Sequence, residues 1–193
     1  MRKLLSLIFA TISITPIFAA QYAGVEIGLN HAILTNHSDT DLKTGMNGSV
    51  KYGYCFESGI RAEAQAIYRT NRFKTIYNFA EKDQILSKEY NSHHSWAYML
   101  NVLYDVKPLQ TYDIVPYLGL GVGYCQNTEN HKVKFDDHSI QDKLKDNRFA
   151  YQGIVGAKYG IQDNIVTGME YRYFTGNNHK KDHSIAMFVL RAF

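Results

Sequence analysis

The stretch Ser95-Trp96-Ala97-Tyr98-Met99-Leu100-Asn101-Val102-Leu103-Tyr104-Asp105 sorts its residues by parity. Trp96, Tyr98, Leu100, Val102 and Tyr104 fall on one face, and Ser95, Ala97, Met99, Asn101, Leu103 and Asp105 on the other. A period of two is the mark of a β-strand, in which successive side chains point to opposite faces. The same alternation extends in both directions from this segment. Upstream, Ala23, Val25, Ile27 and Leu29 oppose Gly24, Glu26, Gly28 and Asn30, and Met46, Gly48, Val50, Tyr52, Tyr54 and Phe56 oppose Asn47, Ser49, Lys51, Gly53 and Cys55. Between these and the opening stretch, Ala62, Ala64, Ala66 and Tyr68 oppose Arg61, Glu63, Gln65, Ile67 and Arg69.

Downstream, Leu118, Leu120, Val122 and Tyr124 alternate with Tyr117, Gly119, Gly121, Gly123 and Cys125. Phe149, Tyr151, Gly153, Val155, Ala157 and Tyr159 alternate with Ala150, Gln152, Ile154, Gly156 and Lys158. Thr167, Met169, Tyr171 and Tyr173 oppose Gly168, Glu170 and Arg172; Ile185, Met187, Val189, Arg191 and Phe193 oppose Ser184, Ala186, Phe188, Leu190 and Ala192. That makes eight segments, each expected to run about ten residues, the length a tilted strand needs to cross a bilayer. The connections alternate too: short ones near 57–58, 107–113 and 162–164, long polar ones near 32–44, 70–93, 126–147 and 174–183. Hairpins inserted from one side of a membrane produce that asymmetry. The expected fold is all-β, an eight-stranded antiparallel up-and-down transmembrane β-barrel.

The first twenty residues differ in kind. Arg2 and Lys3 precede an apolar run from Leu4 to Ile14, and Pro16 leads to Ala19-Ala20. This is the layout of a secretory signal peptide, so 1–20 is expected to be removed and 21–193 to form the barrel domain. Without Arg2 and Lys3, the 21 basic residues of the 193-residue chain fall to 19 against 18 acidic ones. A net charge near zero offers no field for nucleic acid. No later stretch reaches the ~20 apolar residues a spanning helix needs.

The two strand faces have opposite chemistry. One carries aliphatics and rings. The other carries Glu26, Lys51, Arg61, Glu63, Arg69, Lys158, Glu170 and Arg172, which we expect to turn inward and pair as a lumen charge cluster, with the glycines opposite Leu118–Tyr124 making room for them. Tyr54, Phe56, Tyr104, Tyr159 and Phe193 gather at the short-turn end; Trp96, Tyr98, Tyr124, Phe149, Tyr151 and Tyr173 gather at the long-loop end. Two aromatic belts around an aliphatic middle match the two water–hydrocarbon interfaces, so the partners expected first are membrane lipids.

The chain resembles the small outer-membrane barrels of the OmpA/OmpX and opacity-protein type, including the related rickettsial surface antigens. The carriers are Tyr98-Met99-Leu100-Asn101-Val102-Leu103-Tyr104-Asp105 and Pro116-Tyr117-Leu118-Gly119-Leu120-Gly121-Val122-Gly123. Ala150-Tyr151-Gln152-Gly153, Gly156-Ala157-Lys158-Tyr159 and Glu170-Tyr171-Arg172-Tyr173-Phe174 continue it. The resemblance implies a Gram-negative outer-membrane location with the long loops extracellular, and an adhesin or surface-antigen role. It also implies that Phe193 is the aromatic end read by the barrel-assembly machinery during insertion. Arg191 departs from the apolar residue usual at its position and is expected to snorkel.

All eight histidines fall in the long loops or beside them: His31, His37, His93, His94, His131, His138, His179 and His183. Their spacing matches no regular ligand set, and no metal or cofactor is assigned. A Ser–His pairing at His93-His94-Ser95 or His183-Ser184 lacks a nucleophile elbow, so the reading is non-enzymatic. The favoured function is a monomeric surface protein that meets a host or cell-surface ligand through 70–93 and 126–147, or serves envelope structure. The alternatives are a small-solute pore of low conductance, since eight strands enclose little more than side chains, and an outer-membrane lipid-modifying enzyme. Cys55 sits at the short-turn end of its strand and Cys125 at the opposite end. A rise of around 25 Å across the membrane exceeds the ~7 Å a disulfide allows, so both are expected to stay unbridged.

Overall fold

The computed structural model describes residues 20–34, 44–72, 76–79, 85–106, 114–134, 139–177 and 180–193. The export signal expected at 1–20 therefore lies, apart from Ala20, outside the described residues, as do His37, His138 and His179. Every regular element described is a strand: β1 Ala20–Leu34, β2 Gly45–Cys55, β3 Ile60–Arg72, β4 Ile76–Phe79, β5 Ile85–Asp105, β6 Ile114–Lys134, β7 Ser139–Gln162, β8 Ile165–Asn177 and β9 Lys180–Ala192. Antiparallel neighbours follow chain order except that β3 pairs with β5, leaving β4 as a short strand on the flank of β5 alone. β1 pairs with β9, from Tyr22 opposite Ala192 to Leu34 opposite Lys180, and this pairing closes an eight-stranded barrel. Closure leaves no sheet edge where the eight strands meet, which hydrocarbon has no means to solvate; edges remain only above it, at β4 and the upper part of β7.

Burial follows the sequence parity and reverses the order of a soluble protein. Leu120 is 72% exposed and Leu100 68%, while Arg172 is fully buried. Trp96, Tyr98, Tyr124, Phe149 and Tyr151 are all exposed on the outer face. An apolar exterior around a charged interior is stable only where hydrocarbon surrounds the wall. At the turn end Tyr22, Leu103, Tyr117, Ile154, Phe188 and Leu190 form one internal apolar cluster; Ile67, Ala97, Met99, Cys125, Ala150 and Phe174 form a second. Glycine provides room at set points. A Cβ at Gly53 would strike the Tyr22 ring, and one at Gly121 would strike Asn101 and Gln152. Gly59, at φ 84°, turns the chain between β2 and β3.

The wall is taller than expected on one side. β5, β6 and β7 run 21, 21 and 24 residues rather than about ten. The long polar loops expected at 70–93 and 126–147 are largely strand: β6 and β7 stay paired up to Lys134 opposite Ser139, and β4 pairs Ile76 with Glu89. The physical reason is that backbone ladders keep their hydrogen bonds above a membrane as well as within it. Once both faces meet water, the hydrophobic alternation that marks a strand in the sequence fades. The histidines move with this correction: His31 lies in β1, His93 and His94 in β5, His131 in β6 and His183 in β9. At the opposite end the connections described are tight, at 56–59 and 163–164.

Candidate functional site

The lumen is the first place where chemistry gathers. Alternation aims Glu26 of β1, Lys51 of β2, and Glu170 and Arg172 of β8 at the barrel axis, and the curvature of the wall makes them meet. Lys51 Nζ lies 2.6 Å from Glu26 Oε2 and 2.8 Å from Glu170 Oε2. Arg172 Nη2 donates to both Glu26 oxygens, at 2.8 and 2.9 Å, and also pairs with Glu170. Tyr117 Oη donates to Glu170 at 2.9 Å. All four charged side chains are almost wholly buried, so each charge depends on the others for the solvation that water no longer supplies.

A second charged group lies toward the short turns. The sequence reading places Arg61, Glu63 and Lys158 in the lumen charge cluster without assigning partners. In the structure Arg61 Nε donates to Asp105 at 3.0 Å, and Lys158 pairs with the other oxygen of Asp105. Glu63 instead accepts from Tyr22 Oη at 3.1 Å and Asn101 Nδ2 at 3.0 Å. Between the two charged groups runs an amide layer: Gln152 Nε2 donates to Asn101 at 2.7 Å and Gln65 Nε2 to Ser49 at 2.8 Å. Gly121 clears space for this layer, which is why a side chain there would collide.

Arg69 stands apart from the network. It is buried, its guanidinium carbon lies 3.5 Å from the Phe174 ring centroid, and among the described residues none of its three nitrogens has a hydrogen-bond partner. Asp182 Oδ1 is also buried and unpartnered, and Asn30 donates to Asn71 at 2.6 Å in the same outer half. Unmet polar groups of this kind need water, because leaving each bare costs about 1–3 kcal/mol. Asp105 and Asp182 were not among the lumen charges singled out from the sequence. Parity already set Asp105 inward, but its nearness to Arg61 and Lys158 depends on strand stagger.

The second place is the outer wall at the hairpin end. Tyr68 Oη and His94 Nδ1 are 2.9 Å apart, with Trp96 tilted against Tyr68. Tyr171 Oη and His183 Nδ1 are 2.5 Å apart, with Tyr173 edge-on to the His183 ring. These rings amount to a belt with polar tips, suited to a headgroup region. Phe193 closes the opposite end: its ring is exposed and its N–H donates to Gln21 O at 3.0 Å. Cys55 and Cys125 are unbridged, Cys125 buried beside Asn127.

Comparison with known proteins agrees with this geometry. The family described as outer membrane protein beta-barrel domain matches residues 5–191. An outer membrane protein of Gluconacetobacter diazotrophicus is 32% identical over 127 residues, which is 61% of this chain and 31% of that protein. The chain thus spans about a third of that curated relative. Among solved structures, Neisserial surface protein A superposes with a TM-score of 0.59 at 14% identity, covering 92% of this chain and 100% of that one. Ail, the attachment invasion locus protein of Yersinia pestis, solved with the heparin analogue sucrose octasulfate, gives 0.54 at 11% identity, covering 92% and 100%. A major outer membrane protein of Thermus thermophilus gives 0.57 at 9% identity, covering 91% and 99%. At these identities the structural likeness is one of fold.

Proposed function

The chain belongs to the outer membrane protein β-barrel domain family, and from that premise we propose that it is a non-enzymatic surface protein whose tall hairpins face outward and engage an anionic ligand. Its location, the bacterial outer membrane, follows from the family. The observation that carries the rest is the one-sided height of the wall. A spanning strand needs about 9–11 residues, and β5, β6 and β7 have roughly twice that, all of the excess at one end. A barrel that only stiffened the envelope has no use for the extension.

The register supports an anionic partner. Counting outward from Phe149, Lys145 is exposed on the outer face of the extension. Lys88 and Lys134 stand directly opposite one another. Like charges in that arrangement destabilise a strand pair unless a counter-charge arrives, and a sulfated or phosphorylated surface ligand supplies it. The buried charge layer across the lumen opposes the alternative of an open pore.

The test compares cells displaying the full chain with cells whose residues 73–91 and 127–147 are trimmed to tight turns. Binding to heparin-coated beads is expected for the full chain only, and to fall as salt rises through the range where surface charges are screened. Equal binding by both would overturn the ligand reading. Orientation is read separately by adding trypsin to intact cells: cleavage after Lys82 is expected, and cleavage after Lys107 in its place would reverse the assigned sides.

A further inference from the structure

The outer wall is dented along β1 and β9. A groove of about 610 Å³ runs there with Ile27, Leu29, Ile185 and Met187 along it and Met46 of β2 and Met169 of β8 on its flanks. That volume falls within the roughly 300–1,000 Å³ of ligand sites. Next to the groove, Gly48 on β2 stands opposite Ile27, and a Cβ there would meet only a carbonyl at 3.7 Å. The apolar length of the groove ends at a polar head toward the hairpin end. His31 and His183 are direct register partners across β1 and β9, and both line it.

His183 is a fixed group. The Tyr171 hydroxyl engages its Nδ1 and Tyr173 packs edge-on to its ring, so with the hydroxyl donating, Nε2 carries the proton as the remaining donor. Lys181, exposed, lies two residues further along β9 on the same face. At this height the described outer-face positions of β1, β2, β8 and β9 carry no carboxylate. An apolar trough capped by two imidazoles and an ammonium fits an amphiphile with an anionic head.

We propose that this groove seats one phosphorylated glycolipid of the outer leaflet, its acyl chain lying along Ile27 and Ile185 and its phosphate meeting His31, His183 and Lys181. The choice of leaflet rests on the orientation argued under the proposed function. The chemistry at the head is the charge-assisted hydrogen bonding that an anionic phosphate draws from imidazole N–H and ammonium donors. The Tyr68–His94 pair on the opposite side of the barrel offers a polar tip as well, but there the imidazole stands without a second one across the ladder.

Native mass spectrometry on the full barrel refolded in detergent tests this with three probes: bis-phosphorylated lipid A, the same lipid stripped of phosphate, and phosphatidylglycerol. The expected result is a one-to-one complex with phosphorylated lipid A, weakened about tenfold or more in the His31→Ala/His183→Ala/Lys181→Ala variant and in Ile27→Trp, which fills the trough. Heat-modifiability on gels verifies that each variant is folded. Equal binding of dephosphorylated lipid A, equal binding of phosphatidylglycerol, or undiminished binding by the folded triple variant would each overturn the proposal. Because these measurements are made in detergent, their outcome is independent of the hairpin ligand. Trypsin access on cells fails or succeeds on orientation alone.

Discussion

Glu170→Ala tests the lumen layer most directly. In the native barrel Glu170 neutralises one charge of a set in which Lys51 and Arg172 balance Glu26 and Glu170. At ~3 Å and an effective dielectric of ~20, each close pair is worth roughly 5–6 kcal/mol before desolvation. The substitution removes two such attractions and the acceptor of the Tyr117 hydroxyl. It also removes the repulsion between Glu170 and Glu26 and the cost of burying one carboxylate, so the net loss is about 3–5 kcal/mol. The assay is urea unfolding of the barrel from lipid vesicles, followed by the fluorescence of Trp96, the single tryptophan, which stands on the lipid-facing belt. Adding Lys51→Met to Glu170→Ala restores neutrality and is expected to recover most of the loss, giving a coupling of at least ~1.5 kcal/mol in the double-mutant cycle. A Glu170→Ala barrel as stable as the native one, or a double variant whose loss is the sum of the singles, would refute the view that these charges are dry and mutually dependent.

Other outcomes follow from the same geometry. Asp105→Asn leaves Arg61 and Lys158 without their shared carboxylate and is expected to cost about 1.5–3 kcal/mol in the same unfolding assay, less than Glu170→Ala because Lys158 is partly exposed. Gly121→Val forces a side chain into Asn101 and Gln152 and is expected to destabilise by about 1–3 kcal/mol, whereas Gly153→Val, where nothing lies within 4 Å, is expected to fold normally on a heat-modifiability gel. Thiol titration of the unreduced, unfolded protein is expected to count both Cys55 and Cys125; an internal bridge would contradict the strand map.

What was legible in the sequence was the face of each residue. Parity alone sent Leu120 to lipid and Arg172 to the lumen, because a pleated strand offers only two directions. The stagger between strands was not legible. Glu26 and Arg172 are 146 positions apart, and their contact depends on the stagger between strands, which alternation does not encode. For the same reason the neighbours of Arg61 and Arg69, Asp105 and the Phe174 ring, could not be read from alternation. The upper reaches of β5, β6 and β7 were illegible for a different cause. With polar residues on both faces, a strand standing in water has the composition of a loop, and only its ladder betrays it.

The pairing of β1 with β9 also bears on how the molecule is made. Glu26 leaves the ribosome early, and the Glu170 and Arg172 that complete its layer leave it near the end. Through the whole interval Glu26 has Lys51 of the neighbouring strand beside it but lacks the Arg172 guanidinium that engages both its oxygens. A barrel lacking β8 would therefore bury Glu26 and Lys51 without the two charges that complete their layer. The backbone bond from Phe193 to Gln21 extends the same seam, so the strand made first and the strand made last hold one another in place.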